Sequence, residues 1–496
     1  MTRAYLSNSL LIRGHQCRKS LWLYKNQPEL RNEISDTQQT FFQSGTNIGR
    51  LAQQLFPGGV EVPYDGLTHE QQLELTRSEL DKGSETIYEA TFQHDAIFVK
   101  ADILHHGERG WEIYEVKSST GIKDVHLFDA AIQYHVLTGA GLNIGSIFIV
   151  YINNDYRRCG DLDIQQLFSI AEVSEQVQEL RPCVRDEVAA QRNMLAGTQP
   201  TIDIGKQCSD PYPCDFKSHC WQHIPVDSVF DLRERGVDKF ALYRQGIVQQ
   251  AEIPLETLNY RQRFQVESTL LQRDHLHQVG VKEFLDSLWF PLCFLDFETV
   301  NPAIPLFDDC RPYRRMPFQY SLHIQNSPGA ELLHFEYLAE PAIDPRLELL
   351  DTLLNKIPDN ACIIAWNQSF EIGVMRELAE LFPHHADRIE RMVENFRDLM
   401  LPFKDRDIYL WQAKGSYSIK PILPLLVPEL SYKSLDGVAN GGDAMEAYYR
   451  MSNTGDKREQ AQIRKELLAY CKLDTEAMVR ILEKIRQMVQ KNDPEF

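Results

Sequence analysis

The chain of 496 residues is 43% hydrophobic and 25% charged, with 10 cysteines and a formal charge of −19. That length allows two or three domains, each with its own core, and the composition is neither disordered nor membrane-like. So acidic a balance excludes a scaffold that coats nucleic acid through bulk positive charge. It leaves room for an enzyme that grips nucleic acid locally and gathers carboxylates around metal ions.

The N-terminal run "MTRAYLSNSLLIRGHQCRKSLWL" is broken by Arg13, His15 and Arg18, so it does not read as a signal peptide. No apolar run reaches the roughly 18 residues of a spanning helix. The expectation is a cytoplasmic protein without a membrane partner, in which cysteines stay reduced and a cluster of them reads as metal-binding. Cys17 lies just ahead of an aromatic helix start in "GHQCRKSLWL". Further on, "AIFVKADIL" reads as an apolar strand ending in Asp102, and "GWEIYEVKSS" as a second strand after a Gly-rich turn. Glu115 and Lys117 are two apart and project from one face of that strand. Asp102, Glu115 and Lys117 thus form D-x12-E-x-K across neighbouring strands. Two hard carboxylates can hold Mg²⁺ or Mn²⁺, while a lysine orients water or neutralises phosphate. The helix beginning in "DAAIQYHV" is expected to carry Gln133 toward the same place.

"CSDPYPCDFKSHCW" sets Cys208, Cys214 and Cys220 in a C-x5-C-x5-C array whose prolines forbid regular helix. Three thiolates are one short of a tetrahedral or cubane set. Cys17, Cys159 and Cys183 are candidates for the fourth, with His219 as an outsider. Spacing alone leaves chance, zinc and iron–sulfur all open. A connector, "VFDLRERGVDKFALYRQGIVQQAEIPLETL", is expected to hold short helical pieces around "RERG" and "RQG", with boundaries near residues 225 and 285.

From Leu288 the pattern changes. Strands are expected at "WFPLCFLDFETV", "FQYSLHIQ", "LLHFEYLA" and "ACIIAW", and helices at "LELLDTLLNKI" and "FEIGVMRELAELF". Three strands, helix, strand, helix is the order of an RNase H-like fold. Asp296 and Glu298 share one face of the first strand. Glu371 opens the helix after the fourth strand. In "ELLAYCKLDTEAMVRIL", Tyr470 and Asp474 are one helical turn apart on a common face. Four carboxylates meeting from a strand, a helix start and a late helix suit a two-metal site for phosphoryl transfer, and the tyrosine hydroxyl is placed to position or deprotonate a water.

These motifs carry two resemblances. Asp102, Glu115, Lys117 and Gln133 in that order resemble the PD-(D/E)xK nucleases of the RecB-like branch. The split cysteine set, Cys17 before the core and Cys208, Cys214 and Cys220 after it, is similar to AddB-type helicase–nucleases and CRISPR-associated adaptation nucleases. That resemblance implies a [4Fe–4S] cluster clamping the two ends of the domain, with structural Zn²⁺ as the alternative. Many relatives place a histidine ligand in an N-terminal helix, where "SGTNIGRLAQQLF" has Gly49. Over residues 288–488 the chain resembles the DnaQ-like DEDD 3′→5′ exonucleases, through "FLDFET", "WNQSFE" and the tyrosine variant "YCKLD" (DEDDy), with Glu371 where that family has aspartate. The two-nuclease layout is similar to an uncharacterised bacterial family, with further matches in "RPYRRMPFQYSLH" and "GSYSIKPILPLL". Arg311, Arg314, Arg315, Lys414 and Lys420 there are candidates for phosphate contacts. The connector loosely resembles helix–hairpin–helix-like linkers that touch phosphates.

The expected architecture is a multidomain α/β protein. Residues 1–225 would be a PD-(D/E)xK (restriction-endonuclease-like) domain, 226–285 a helical linker, and 286–496 an RNase H-like exonuclease domain. The resemblances imply hydrolysis of DNA, as single strands or frayed ends, in repair, recombination or defence. The rivals are an RNA-processing 3′→5′ exonuclease and a nucleic-acid-binding protein whose first half is a degenerate platform.

Overall fold

A computed structural model describes residues 5–33, 45–435 and 437–491. The protein is a mixed α/β chain of two compact units, each with its own sheet. The first unit comprises residues 1–223 together with 302–313, and the second 224–301 and 314–496. The division differs from the expected boundaries in two ways. The connector 226–285 groups with the second unit, and a short segment from near the start of the expected exonuclease domain groups with the first.

The first unit is built on β1 (Leu6–Ser7), β2 (Val60–Glu61), β3 (Thr86–His94), β4 (Ile97–Gly107), β5 (Gly110–Lys117), β6 (Ile144–Ile152) and β7 (Phe168–Glu172), in the order β2-β3-β4-β5-β6-β7. β3, β4 and β5 are antiparallel neighbours, β6 joins β5 in parallel, and β1 lies parallel to β4 off the main path. The β4–β5 turn needs a glycine at its exit. Gly110 has φ +123, and a Cβ there would stand 2.6 Å from the backbone oxygen of Asn143.

Helices Asn8–Gln16 (α1), Asp124–Gly139 and Ser174–Leu195 contribute Leu11, Ala130, Ala131, Val136, Val184 and Val188 to a core over one sheet face. The Asp124–Gly139 helix is buried nearly all round, its polar His126, Asp129, Gln133 and His135 included. The other face carries a second core of Tyr88, Ile103, Tyr114, Val150 and Ile152. Ala303, Ile304 and Tyr313 of the inserted segment pack into it. Arg158 holds that segment by donating to the carbonyls of Pro305 and Leu306 at 3.0 and 2.8 Å.

In the second unit, β8 (His275–Leu276) and β14 (Ile408–Tyr409) form a small ribbon. The main sheet holds β9 (Leu292–Val300), β10 (Met316–Gln325), β11 (Leu332–Leu338), β12 (Cys362–Ala365) and β13 (Phe396–Asp398), in the order β11-β10-β9-β12-β13. β9, β10 and β11 are antiparallel; β12 and β13 run parallel to β9. All four strands and both helices expected from residue 292 to 381 are present. The last helix, Lys457–Lys491, packs across β9 and β10. In the connector, helix covers Lys239–Arg244 up to "RQG", whereas "RERG" is not helical. Arg235-Gly236 there precedes an Asp238 N-cap, so the helix starts later than composition suggests.

Candidate functional site

In the first unit, Asp102, Glu115, Lys117 and Gln133 come together. Glu115 and Lys117 project from β5 toward the Asp124–Gly139 helix. Lys117 Nζ contacts Glu115 Oε1 at 2.5 Å and is also bonded to Asp129. Gln133 Nε2 donates to the other oxygen of Glu115, while its own Oε1, fully buried, has no hydrogen-bond partner. Asp102 Oδ2 accepts from the Val116 N–H at 2.7 Å, which ties β4 to β5 one residue beyond their regular pairing. Asn8 donates to Asp129 from α1.

Asp129, Asn8 and the half-buried Glu89 of β3 are members that the sequence reading missed. Asp129 stands four residues before Gln133, so helical spacing alone would have placed both on one face. Asn8 gave no signal.

Burial pushes the Asp102 carboxyl up to about 7, with the neighbouring Glu89 charge adding to the rise and Lys117 opposing it. Burial likewise holds Glu115 well above the carboxylate range, reinforced by Asp102. Burial alone would pull the Lys117 ammonium down, but Glu115, Asp129 and Asp102 override it and raise it well above its usual value. The neighbouring carboxylates thus favour the Lys117 cation, which suits it to neutralising phosphate charge.

Cys17, Cys208, Cys214 and Cys220 line one hollow, with Lys19, Ser20 and Phe216. Cys17 sits in extended backbone between α1 and the helix Arg18–Asn26, which aims its thiol out of both helices. The loop is fastened by Asp215, which Arg13 meets at 2.5 Å and Arg31 at 2.8 Å. Cys159 and Cys183 are exposed and do not line the hollow, nor does His219. Burial raises the Cys17 and Cys220 thiols, and each is raised further by the sulfurs of Cys214 and Cys208.

In the second unit, Asp296, Glu298 and Asp474 offer ligand oxygens within 4.8 Å of one another, the tightest grouping of metal-ligating atoms among the described residues. Asp296 and Glu298 alternate with Leu295 and Phe297 on β9, whose apolar side chains hold the strand in the core. Asp474 descends from the long helix. Glu371, on the first turn of the Gln368–Leu381 helix, is 2% exposed, and its Oε2 has no partner. That helix is started by Asn367 at φ +71, whose N–H donates to Asp398 Oδ1 at 2.9 Å.

Burial raises Asp296 and Glu298 well above the carboxylate range, and Asp474 and Asp296 respectively add repulsion. Glu371 rises through burial and then through Asp296. Asp474 is pushed up to about 6 by burial, restrained by hydroxyl donation from Tyr432 and Tyr470 and by Lys420. Both phenols are held protonated by burial and the Asp474 charge.

Tyr432 was not anticipated; its hydroxyl donates to Asp474 Oδ1 at 2.5 Å. Nor was Cys471, whose thiol lies 3.5 Å from Asp296 Oδ2. Lys420 Nζ lies 5.6 and 5.5 Å from the centroids of Tyr432 and Tyr470. The other basic candidates are engaged elsewhere. Arg314 and Arg315 face Glu377, and Lys414 pairs with Asp227 at 2.9 Å. Arg311 belongs to the segment grouped with the first unit.

Hard oxygen donors that repel one another, with few cations to offset them, fit divalent cations in both units.

Among the described residues, no helix is long and apolar enough to cross a membrane. Residues 293–418 match a family model described as a domain of unknown function (DUF2779), a stretch that includes Asp296, Glu298 and Glu371 but stops short of Tyr470 and Asp474. The chain is 27% identical over 225 residues to the uncharacterized MG366 homolog of Mycoplasma pneumoniae, covering 41% of this chain and 34% of that protein. It is 26% identical to the uncharacterized protein MG366 of Mycoplasma genitalium over 40% of this chain and 32% of that protein. A similar match, 26% over 40% of this chain and 31% of the relative, is to the uncharacterized protein UU173 of Ureaplasma parvum. The chain thus spans about a third of the length of the curated relatives it matches.

Proposed function

We propose that the protein is a metal-dependent nuclease with one phosphodiester-hydrolysing site in each unit: a RecB-like PD-(D/E)xK site in the first and an RNase H-like DEDDy 3′→5′ exonuclease site in the second. The observation that carries this reading is the meeting of Asp296, Glu298 and Asp474, with buried, unpartnered Glu371 beside them. Carboxylates this crowded relieve their repulsion by taking up protons or by holding a cation, and their converging oxygens suit a cation. The strand order β11-β10-β9-β12-β13, antiparallel then parallel, agrees with the RNase H-like arrangement.

Asp296, Glu298, Glu371 and Asp474 would hold Mg²⁺ or Mn²⁺ in the second unit, and Asp102 and Glu115 in the first. Bound there, divalent ions supply Lewis acidity and a clamp on the attacking and departing oxygens. The chain's own groups do the positioning. Tyr432 donates to Asp474, and burial favours both phenols as donors, which places Tyr432 and Tyr470 to orient the acid and a water. Lys420 places a positive charge beside the acidic cluster, and Lys117 does the same in the first unit. The substrate we favour is DNA as single strands or frayed ends, because a flexible scissile phosphate reaches such recessed carboxylates most easily. The four thiols would hold a [4Fe–4S] cluster that fastens the cysteine loop to α1.

The test is degradation of end-labelled DNA and matched RNA strands in Mg²⁺ and Mn²⁺. Asp296→Asn should remove most 3′→5′ degradation, by a factor of about 100 or more if loss of a charge-matched ligand costs what loss of a key electrostatic donor does. Undiminished degradation would refute the assignment, and preference for the RNA strand would move the substrate class.

A further inference from the structure

Where the RecB-like nucleases that the first unit resembles carry a histidine in an N-terminal helix, this chain has Gly49. That glycine is not dictated by packing, since a Cβ there would meet nothing within 4 Å. The site itself offers a replacement from another element.

β3 and β4 pair so that Tyr88 faces Ile103 and Ala90 faces Ala101, which sets Glu89 opposite Asp102. In regular strands, residues three apart point to opposite faces. Here Ile87 and Ala90 lie in the same core, and so do Ala101 and Leu104. The alternation therefore slips in both strands at one place, and Glu89 and Asp102 are the two residues at the slip. Glu89 has φ +54, a left-handed conformation that glutamate adopts only at a cost. Continuing the β4–β5 register by one step sets Asp102 opposite Glu115. Three carboxylates thus form one row across three adjacent strands.

The Glu89 side chain accepts no hydrogen bond from the described residues; the Lys100 charge opposes the rise that burial gives its carboxyl, without bonding it. Gln133, 1% exposed, has its amide fixed on Glu115 while its Oε1 is buried without a partner, one polar atom of this cluster still unsatisfied. Thr91 also steadies the kink, its hydroxyl donating to the Glu89 carbonyl at 3.0 Å.

We propose that Glu89 is the third carboxylate ligand of the divalent cation in the first unit, supplied by a kinked strand in place of the absent helical histidine. The proposal rests on the reading of that unit as a metal-dependent nuclease. It also assigns the unit a hard, all-oxygen ligand set, which favours Mg²⁺ or Mn²⁺ over softer metals.

The test is Mn²⁺ binding to the full-length protein with its second site disabled by Asp296→Asn and Asp474→Asn. Free Mn²⁺ is measured by EPR, and Asp102→Asn serves as the reference loss. Added to that parent, Glu89→Gln should weaken Mn²⁺ at least roughly tenfold, the scale on which perturbed metal shells lose affinity. Glu89→Gly should weaken Mn²⁺ equally and yet raise the denaturant midpoint in EDTA, because glycine carries the positive φ without strain. That pairing separates a ligand from a merely structural residue. Binding unchanged in both variants, with Asp102→Asn defective, overturns the role of Glu89 and leaves the site intact. A parent that binds no Mn²⁺ overturns the reading of the unit together with the proposal.

Discussion

Replacing Asp474 by asparagine should make the metal-free protein more stable near neutrality and less stable in acid. The carboxyl titrates at about 6 in the folded chain against an ordinary 3.8. Between those values the folded state holds a proton that the unfolded state has released, so stability falls as pH rises through the window and stays reduced above it. The gap of about 2 pH units is worth about 3 kcal/mol at about 1.4 kcal/mol per unit. Against this, an asparagine has one acceptor oxygen for the two hydroxyls of Tyr432 and Tyr470, a loss of about 1 kcal/mol. Asp474→Asn should thus be about 1 kcal/mol less stable than the parent at pH 3 and about 2 kcal/mol more stable at pH 7.5. Urea unfolding in EDTA, followed by near-UV circular dichroism at both pH values, measures the difference directly. Added Mn²⁺ should stabilise the parent at pH 7.5 more than the variant, which keeps only the first-unit site. A difference between the two proteins that does not change with pH would refute the electrostatic account of the cluster.

Lys117→Ala should abolish the cleavage that survives in the Asp296→Asn background, because the cation of the first site is lost while the fold keeps its strand; undiminished residual cleavage on labelled oligonucleotides would sink that role. Protein purified without oxygen should be brown and carry about four iron atoms per chain. Cys17→Ser should bleach it, whereas a colourless protein with one zinc would transfer the four thiols to a different metal.

The paired carboxylates were legible because strand periodicity fixes which residues share a face. Asp296 with Glu298, and Glu115 with Lys117, needed only a count of two. Tyr470 and Asp474 needed only the helical repeat. Glu89 was hidden by the same rule that exposed the others, since alternation was taken as regular and the strand slips there. Tyr432 lies in a stretch between helices with no period to read, so only the chain's path brings its hydroxyl to Asp474. The cysteine loop was legible as a cluster but not as a metal, because composition counts thiols and says nothing of their spread. Unit boundaries were the least legible, since a short apolar run such as "NPAIPLF" reads alike in either core.

That run has a practical consequence. Because residues 302–313 are folded into the first unit while the strands on either side, β9 and β10, belong to the second, no single cut divides the polypeptide into two self-sufficient pieces. A fragment ending at residue 223 would forfeit Tyr313, whose hydroxyl rests on the carbonyl of Ser118, the residue after Lys117. Separate expression of the halves would therefore report on injured proteins. Dissecting the two activities calls for point substitutions in the intact chain.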